Sequence, residues 1–125
     1  MHSSVVDTNV LLRFLVGDNS QQQKIAHTWF QEAESGKRQL IIKPLVIAET
    51  TFVLESFYKQ SREKIADSLE TLLAQKWLVV EERTVMNKLW YWYKNGLHFV
   101  DSYLLAWSKN NKAELLTFDK ELIKK

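Results

Sequence analysis

"VVDTNVLLRFL", residues 5–15, decides how the rest of the chain is read. Val5 and Val6 suit the end of a short strand, and Val10, Leu11 and Leu12 suit an apolar helix. Between them stand three polar side chains, Asp7, Thr8 and Asn9. A carboxylate buried alone at such a junction costs several kcal/mol or shifts its pKa until it is neutral. Either water reaches Asp7 or a partner compensates its charge.

Working outward, "SVVD" (residues 4–7) is one of four similar runs. The others are "LIIK" (40–43), "WLVVE" (77–81) and "ELLTF" (114–118). Each is four or five residues long with little polar alternation, the pattern of strands covered on both faces in a parallel sheet. Helical spacing fills the gaps. Residues 20–34 carry Ile25, Ala26, Trp29, Phe30 and Ala33 on one side. Residues 44–58 open on Pro44, which suits a first helical turn. Residues 61–75 open on Ser61, a candidate cap, and carry Ile65, Ala66, Leu69, Leu72 and Leu73. A helix over 83–95 stops before Gly96, another spans 99–110, and a short one begins near Lys120. Strands alternating with helices predict an α/β domain with a mainly parallel sheet.

The 125 residues suit one domain over 1–125, and 46% of them are apolar, enough for a core. A net charge of +2 excludes a strongly basic coat or an acidic tail. With no cysteine, a disulfide framework and a thiolate zinc site are both excluded, which fits a reducing compartment. No basic segment leads into an apolar run with a small-residue cleavage site, so no signal peptide is expected. The longest apolar stretch, residues 40–54, is interrupted by Lys43, Pro44 and Glu49, whereas a membrane span needs roughly 20 predominantly apolar residues. A soluble cytoplasmic protein is expected.

Most of the 15 acids sit among polar neighbours, but four do not. Asp7 ends the first strand and Asp119 ends the last, at the edge where open α/β sheets bind ligands. Glu49 has Leu45, Val46, Phe52 and Val53 at three and four residues' distance, so its carboxylate is expected on a buried stripe. Asp101 has Leu97, His98, Leu104 and Leu105 as the same neighbours. If both helices follow strands in right-handed crossovers, their N-termini lie at that edge. Four carboxylates converging there would repel, and a hard divalent cation held through oxygen removes the cost. Mg²⁺ or Mn²⁺ is the natural choice, because no histidine pair stands at ligand spacing.

With these motifs on the page, "VVDTNVLLRFL", "VIAETTFVLE", "FVDSYLLAWS" and "LLTFDKEL" resemble the four acidic motifs of PIN-domain ribonucleases. The likeness is greatest to the VapC-type toxins of type II toxin–antitoxin pairs, and runs from Val5 to about Leu122. Each motif is short, and specificity lies in having all four in order. The resemblance implies a three-layer α/β/α sandwich whose central, mainly parallel sheet has four or five short strands. It implies Mg²⁺/Mn²⁺-dependent endoribonuclease activity with one or two ions per site, homodimers, and inhibition by a cognate antitoxin. Carried over residue by residue, the acidic quartet falls on Asp7, Glu49, Asp101 and Asp119 as metal ligands and catalytic groups. Thr8, Asn9 and Thr117 take the places of polar residues that orient those carboxylates. Two departures stand out. His98 occupies a position where many relatives carry a further acid, and many relatives continue into another short strand.

Neutralising four of the 15 acids leaves 11 against 17 Lys and Arg, enough positive charge for phosphate contacts without a conspicuous patch. Arg13, Lys43, Lys120, Lys124 and Lys125 lie near the expected site in sequence. "KLWYWYKN" (88–95) invites a base-stacking role, but Met86, Leu89, Trp90 and Tyr93 form one helical stripe, which is ordinary core. Three rival readings remain. The first is a nucleic-acid or protein binding module with the same fold and an inactive site. The second is a phosphohydrolase, disfavoured because "DTN" lacks the second Asp of D-x-D-x-T. The third is a DNA-directed nuclease.

Overall fold

In the computed structural model, which describes residues 2–124, the valine run before Asp7 forms strand β1, His2–Val5. "LIIK" contributes to β2, Arg38–Ile42, and "WLVVE" to β3, Val79–Val80. The three strands are parallel in the order β1-β2-β3, with Val5 opposite Ile41 and Ile42 opposite Val80. The pairing runs one residue past the strand ends. Val6 donates its N–H to the Ile41 carbonyl at 3.0 Å, and Glu81 donates to Ile42 at 3.1 Å.

Two helices, α1 (Thr8–Leu15) and α2 (Ser20–Glu34), carry the chain from β1 back to β2. Another pair, α3 (Pro44–Ser56) and α4 (Arg62–Leu73), carries it from β2 to β3. These are the parallel crossovers expected of an α/β fold. Local chemistry sets their ends. Asn19 caps α2 by accepting from the Gln22 N–H at 3.0 Å, and Ser61 caps α4 by accepting from Lys64 at 3.1 Å. The capping role expected of Ser61 is therefore met. After β3 come α5 (Arg83–Lys88), α6 (Trp90–Lys94), α7 (Phe99–Asn110) and α8 (Lys120–Ile123). Gly96 has φ of +103°, the left-handed conformation that releases the chain from α6 at the expected stop.

The core joins the inner residues of the crossover helices, among them Leu11, Ile47, Leu54, Ile65, Leu69 and Leu73, to Ile42 of β2. The stripe of Met86, Leu89, Trp90 and Tyr93 is fully buried in it, while Tyr91 is exposed. Arg83 reaches back from the start of α5 to three main-chain carbonyls of the α4–β3 connection, those of Leu73, Gln75 and Leu78.

Three expectations change. The single helix expected over 83–95 is two, because the chain tightens at Leu89, whose carbonyl accepts from both Trp92 and Tyr93. β3 is shorter than "WLVVE". The fourth expected strand, 114–118, forms no ladder, so the sheet has three strands among the described residues rather than four or five. Side-chain alternation persists there: Leu115 and Thr117 are half-buried, whereas Leu116 and Phe118 are 84% and 104% exposed. The period of a strand is present without a neighbouring strand to accept it. The segment instead borders a cleft with α7 and α8.

Candidate functional site

Helices α1, α3 and α5 each begin within three residues of the end of a parallel strand, so their N-termini share one edge of the sheet. Asp7 is the N-cap of α1. Its backbone is extended and its side chain makes no capping bond. The carboxylate is exposed at a helix end that favours negative charge. The puzzle of the apolar junction therefore resolves by division of labour. Water reaches Asp7, and the next residue, Thr8, is the buried one.

Thr8 donates its hydroxyl to Glu49 Oε1 at 2.5 Å. That bond links the first turn of α1 to the middle of α3, across 41 residues of sequence. Glu49 itself is exposed, which corrects the expectation of a buried stripe: Leu45 and Phe52 beside it are 84% and 57% exposed, and only Val46 and Val53 are half-buried. No other helix covers that outer stripe of α3 among the described residues. Asp101 is half-buried in the first turn of α7, which packs against α3, α5 and α6. Asp119 caps α8, accepting from the Glu121 N–H at 2.9 Å, and its own N–H donates to Thr117 Oγ1 at 3.0 Å. Thr117 thus acts on the Asp119 main chain, and Asn9 faces solvent beside Arg13.

Six of the other eleven acids have a charge partner, and five, like the four, have none among the described residues. Asp18, Glu32, Glu55, Asp67, Glu70 and Glu81 all pair with Arg or Lys. Among the described residues Asp7, Glu49, Asp101 and Asp119 pair with neither. Their oxygen-only donor set suits a hard divalent cation. Among the described residues no three Asp, Glu or His side chains lie close enough together to hold one ion. The structure joins Thr8 to Glu49 and gives Asp119 a local capping role; it shows no bond linking Asp101 to the others.

Sequence reasoning passed over Glu81 and Glu82, which follow β3 as Asp7 follows β1. Position directly after an apolar run was the available signal. Glu81 holds Lys43 at 2.6 Å, so that lysine is engaged at the same edge. Glu82 accepts from the Tyr103 hydroxyl at 2.5 Å. Burial first, and then this bond to a carboxylate, push the Tyr103 phenol up to about 12. Among the other expected cations Lys120 and Lys124 are exposed, and Lys125 lies outside the described residues.

A parallel α/β sheet with Asp7 at a helix end of its carboxyl edge, next to the bond from Thr8 to Glu49, defines the class. The PIN domain family model matches residues 4–125, and the chain belongs to that family. A VapC ribonuclease of Aquifex aeolicus (strain VF5) is 35% identical over 77 residues, or 62% of this chain. The match spans 56% of that relative, little more than half its length. Among the described residues no helix is long and apolar enough to cross a membrane.

Proposed function

We propose that the protein is a Mg²⁺/Mn²⁺-dependent endoribonuclease, a hydrolase of RNA phosphodiester bonds acting as the toxin of a type II toxin–antitoxin pair. The observation that carries this is the bond from Thr8 to Glu49 beside the uncapped Asp7, at the ligand-binding edge of a PIN-family sheet. The similarity to a VapC ribonuclease supports the choice of RNA and of an antitoxin partner. One domain, spanning 1–125 and working in the cytoplasm, completes the reading.

Asp7, Glu49 and Asp101 would hold one or two divalent ions, with Asp119 at the margin. Such an ion, when bound, makes a water more acidic and takes up charge on phosphate oxygens. The rest falls to the chain. Thr8 holds one Glu49 oxygen and so fixes which lone pairs face the site. The N-terminal turn of α1 presents main-chain N–H groups beside Asp7, which favour a phosphate. Asp119 stays tethered through its cap to Glu121 and through Thr117.

The test is incubation of the intact protein with a pool of cellular RNAs in Mg²⁺, in Mn²⁺ and in chelator, followed by mapping of the cut ends. Internal cuts at defined positions, dependent on metal, are expected. No cleavage with either ion overturns the reading in favour of an inactive binding module, and cleavage that persists in excess chelator overturns its metal dependence.

Homodimerisation belongs to the same proposal. Leu45 and Phe52 of α3 and Val100 and Leu104 of α7 are exposed on one face. Two clefts of about 670 and 500 Å³ adjoin there, sharing Ala48, Phe99 and Val100. A face bearing both apolar ridges and the clefts to receive them suits a two-fold interface. Phe52→Glu is expected to convert a dimer to a monomer in light scattering coupled to size-exclusion chromatography; an unchanged mass removes this face from the dimer.

A further inference from the structure

Helices α1 and α2 pack together and leave between them a cleft of about 300 Å³, lined by Asn9, Val10, Arg13, Gln22, Ile25 and Trp29, with Ala26 at its base. We infer that this cleft is a nucleotide subsite for the RNA chain next to the scissile bond, with the base on Trp29 and a phosphate at Arg13. The inference rests on the nuclease reading and adds a place for the flanking nucleotide, built mainly from α1 and α2 residues outside the acidic quartet.

Three observations converge on a nucleotide. Position comes first: Asn9 lines the cleft two residues after Asp7, so the cleft lies along the helix whose N-cap is that acid. Shape and surface come next. Trp29 and Ile25 are 36% and 49% exposed although they belong to the apolar side of α2. An exposed indole in a cleft of this size offers a flat apolar face to one base, whatever its identity. Charge is the third. Arg13 donates from Nε to Gln22 Oε1 at 2.8 Å, and from Nη1 to Asp18 Oδ1 and the Tyr58 hydroxyl, both at 3.4 Å. Tyr58 in turn donates to Asp18 Oδ2 at 2.7 Å, which fixes the carboxylate. This frame holds the guanidinium flat, while its Nη2 has no protein partner among the described residues. A guanidinium held on two atoms with a third nitrogen free is prepared for a phosphate oxygen. Asp18 is the ion-pair partner of Arg13, so a phosphate would meet the guanidinium at Nη2, away from that carboxylate. An aromatic face, a restrained cation and a side-chain amide beside an acidic edge fit a nucleotide better than a purely apolar segment of another protein.

The test measures binding apart from cleavage. Single-turnover assays first establish that the parent cuts RNA and that Asp7→Ala does not, which judges the nuclease reading by itself. Fluorescein-labelled five-nucleotide RNAs, one for each base, are then titrated into the intact Asp7→Ala chain. Adding Trp29→Ala is expected to weaken binding about 5- to 150-fold, the range for loss of one base–aromatic stack. Trp29→Phe keeps most of the affinity. Arg13→Gln lowers the slope of log affinity against log salt by about one, and Arg13→Lys retains it. A reading free of any folding defect comes from the RNA side. One abasic position in the pentamer costs the Trp29 protein most of that factor and costs Trp29→Ala nothing further. Affinity unchanged within twofold in Trp29→Ala, or an equal abasic penalty in both proteins, overturns the subsite and leaves the cleft to an apolar peptide partner.

Discussion

Asp7→Ala, Glu49→Ala and Asp101→Ala each lower single-turnover cleavage of a defined RNA by more than about 100-fold, with circular dichroism unchanged from the parent. The size follows from comparison with milder lesions. Removing a group that only orients a metal ligand costs about 10- to 100-fold, so removing the ligand itself costs more. Thr8→Val supplies that milder case within this protein. It keeps the buried shape and deletes the hydroxyl that holds Glu49, so an intermediate loss of about 10- to 100-fold is expected. Asp119→Asn keeps an oxygen to accept from the Glu121 N–H, so α8 stays capped and the loss is smaller than for the other three acids. A readout without catalysis accompanies these. Millimolar Mn²⁺ raises the parent's Tm above its value in chelator, because the ion binds the folded state. Asp7→Asn reduces that gain, and it raises the metal-free Tm by removing one like charge. If Asp7→Ala cuts as well as the parent, Asp7 is not part of the catalytic site and the metal-nuclease reading of these acids fails.

What the sequence disclosed and what it withheld have separate physical causes. The apolar runs around Val5, Ile42 and Val80 declared strands, and the crossover helices followed from their spacing, but the expected cover on both faces is absent at Val5 and Val79, which are 62% and 40% exposed. The quartet is proposed because Asp7 and Asp119 end apolar runs and Glu49 and Asp101 have mostly apolar helical neighbours. Periodicity, however, reports which residues share a face and says nothing about whether a neighbour covers that face. Glu49 was therefore placed on a buried stripe when Leu45 and Phe52 beside it are open to solvent. The same gap explains 114–118, which keeps a strand's alternation without finding a ladder. The partnership of Thr8 with Glu49 spans 41 residues and leaves no local trace. In sequence Arg13 is only a cation near the expected site, yet its guanidinium is framed by Gln22, Asp18 and Tyr58, the last 45 residues away.

Arg83 is the strongest case of a role hidden from sequence, and its loss is expected to cost about 2–4 kcal/mol of folding stability. Nothing in "EERTVMN" distinguishes it from a surface arginine opening a helix. In the structure its Nη1 donates to the Leu73 carbonyl at 2.7 Å, at the C-terminus of α4, where a cation is favoured and the last carbonyls lack helical partners. Its Nη2 donates to the carbonyls of Gln75, at 3.2 Å, and of Leu78. One planar fork thus closes the turn that delivers Val79 and Val80 to β2, and Leu73 and Leu78 are both buried. Each such charge-assisted bond contributes roughly 1.5–3 kcal/mol, and water replaces part of that when the side chain is cut back. Against a typical total of about 5–15 kcal/mol, the loss is large for a half-exposed residue. Arg83→Met keeps the hydrocarbon stem and removes the donors, so it isolates the bonds from the packing. Its urea midpoint is expected to fall while the m-value holds, since the surface exposed on unfolding is unchanged. Arg83→Lys recovers only part of the difference, because an ammonium on a flexible stem cannot span three carbonyls as the fork does. A midpoint for Arg83→Met equal to the parent's means that water satisfies these carbonyls as well as Arg83 does, and the α4–β3 turn is then held by Leu73 and Leu78 packing alone.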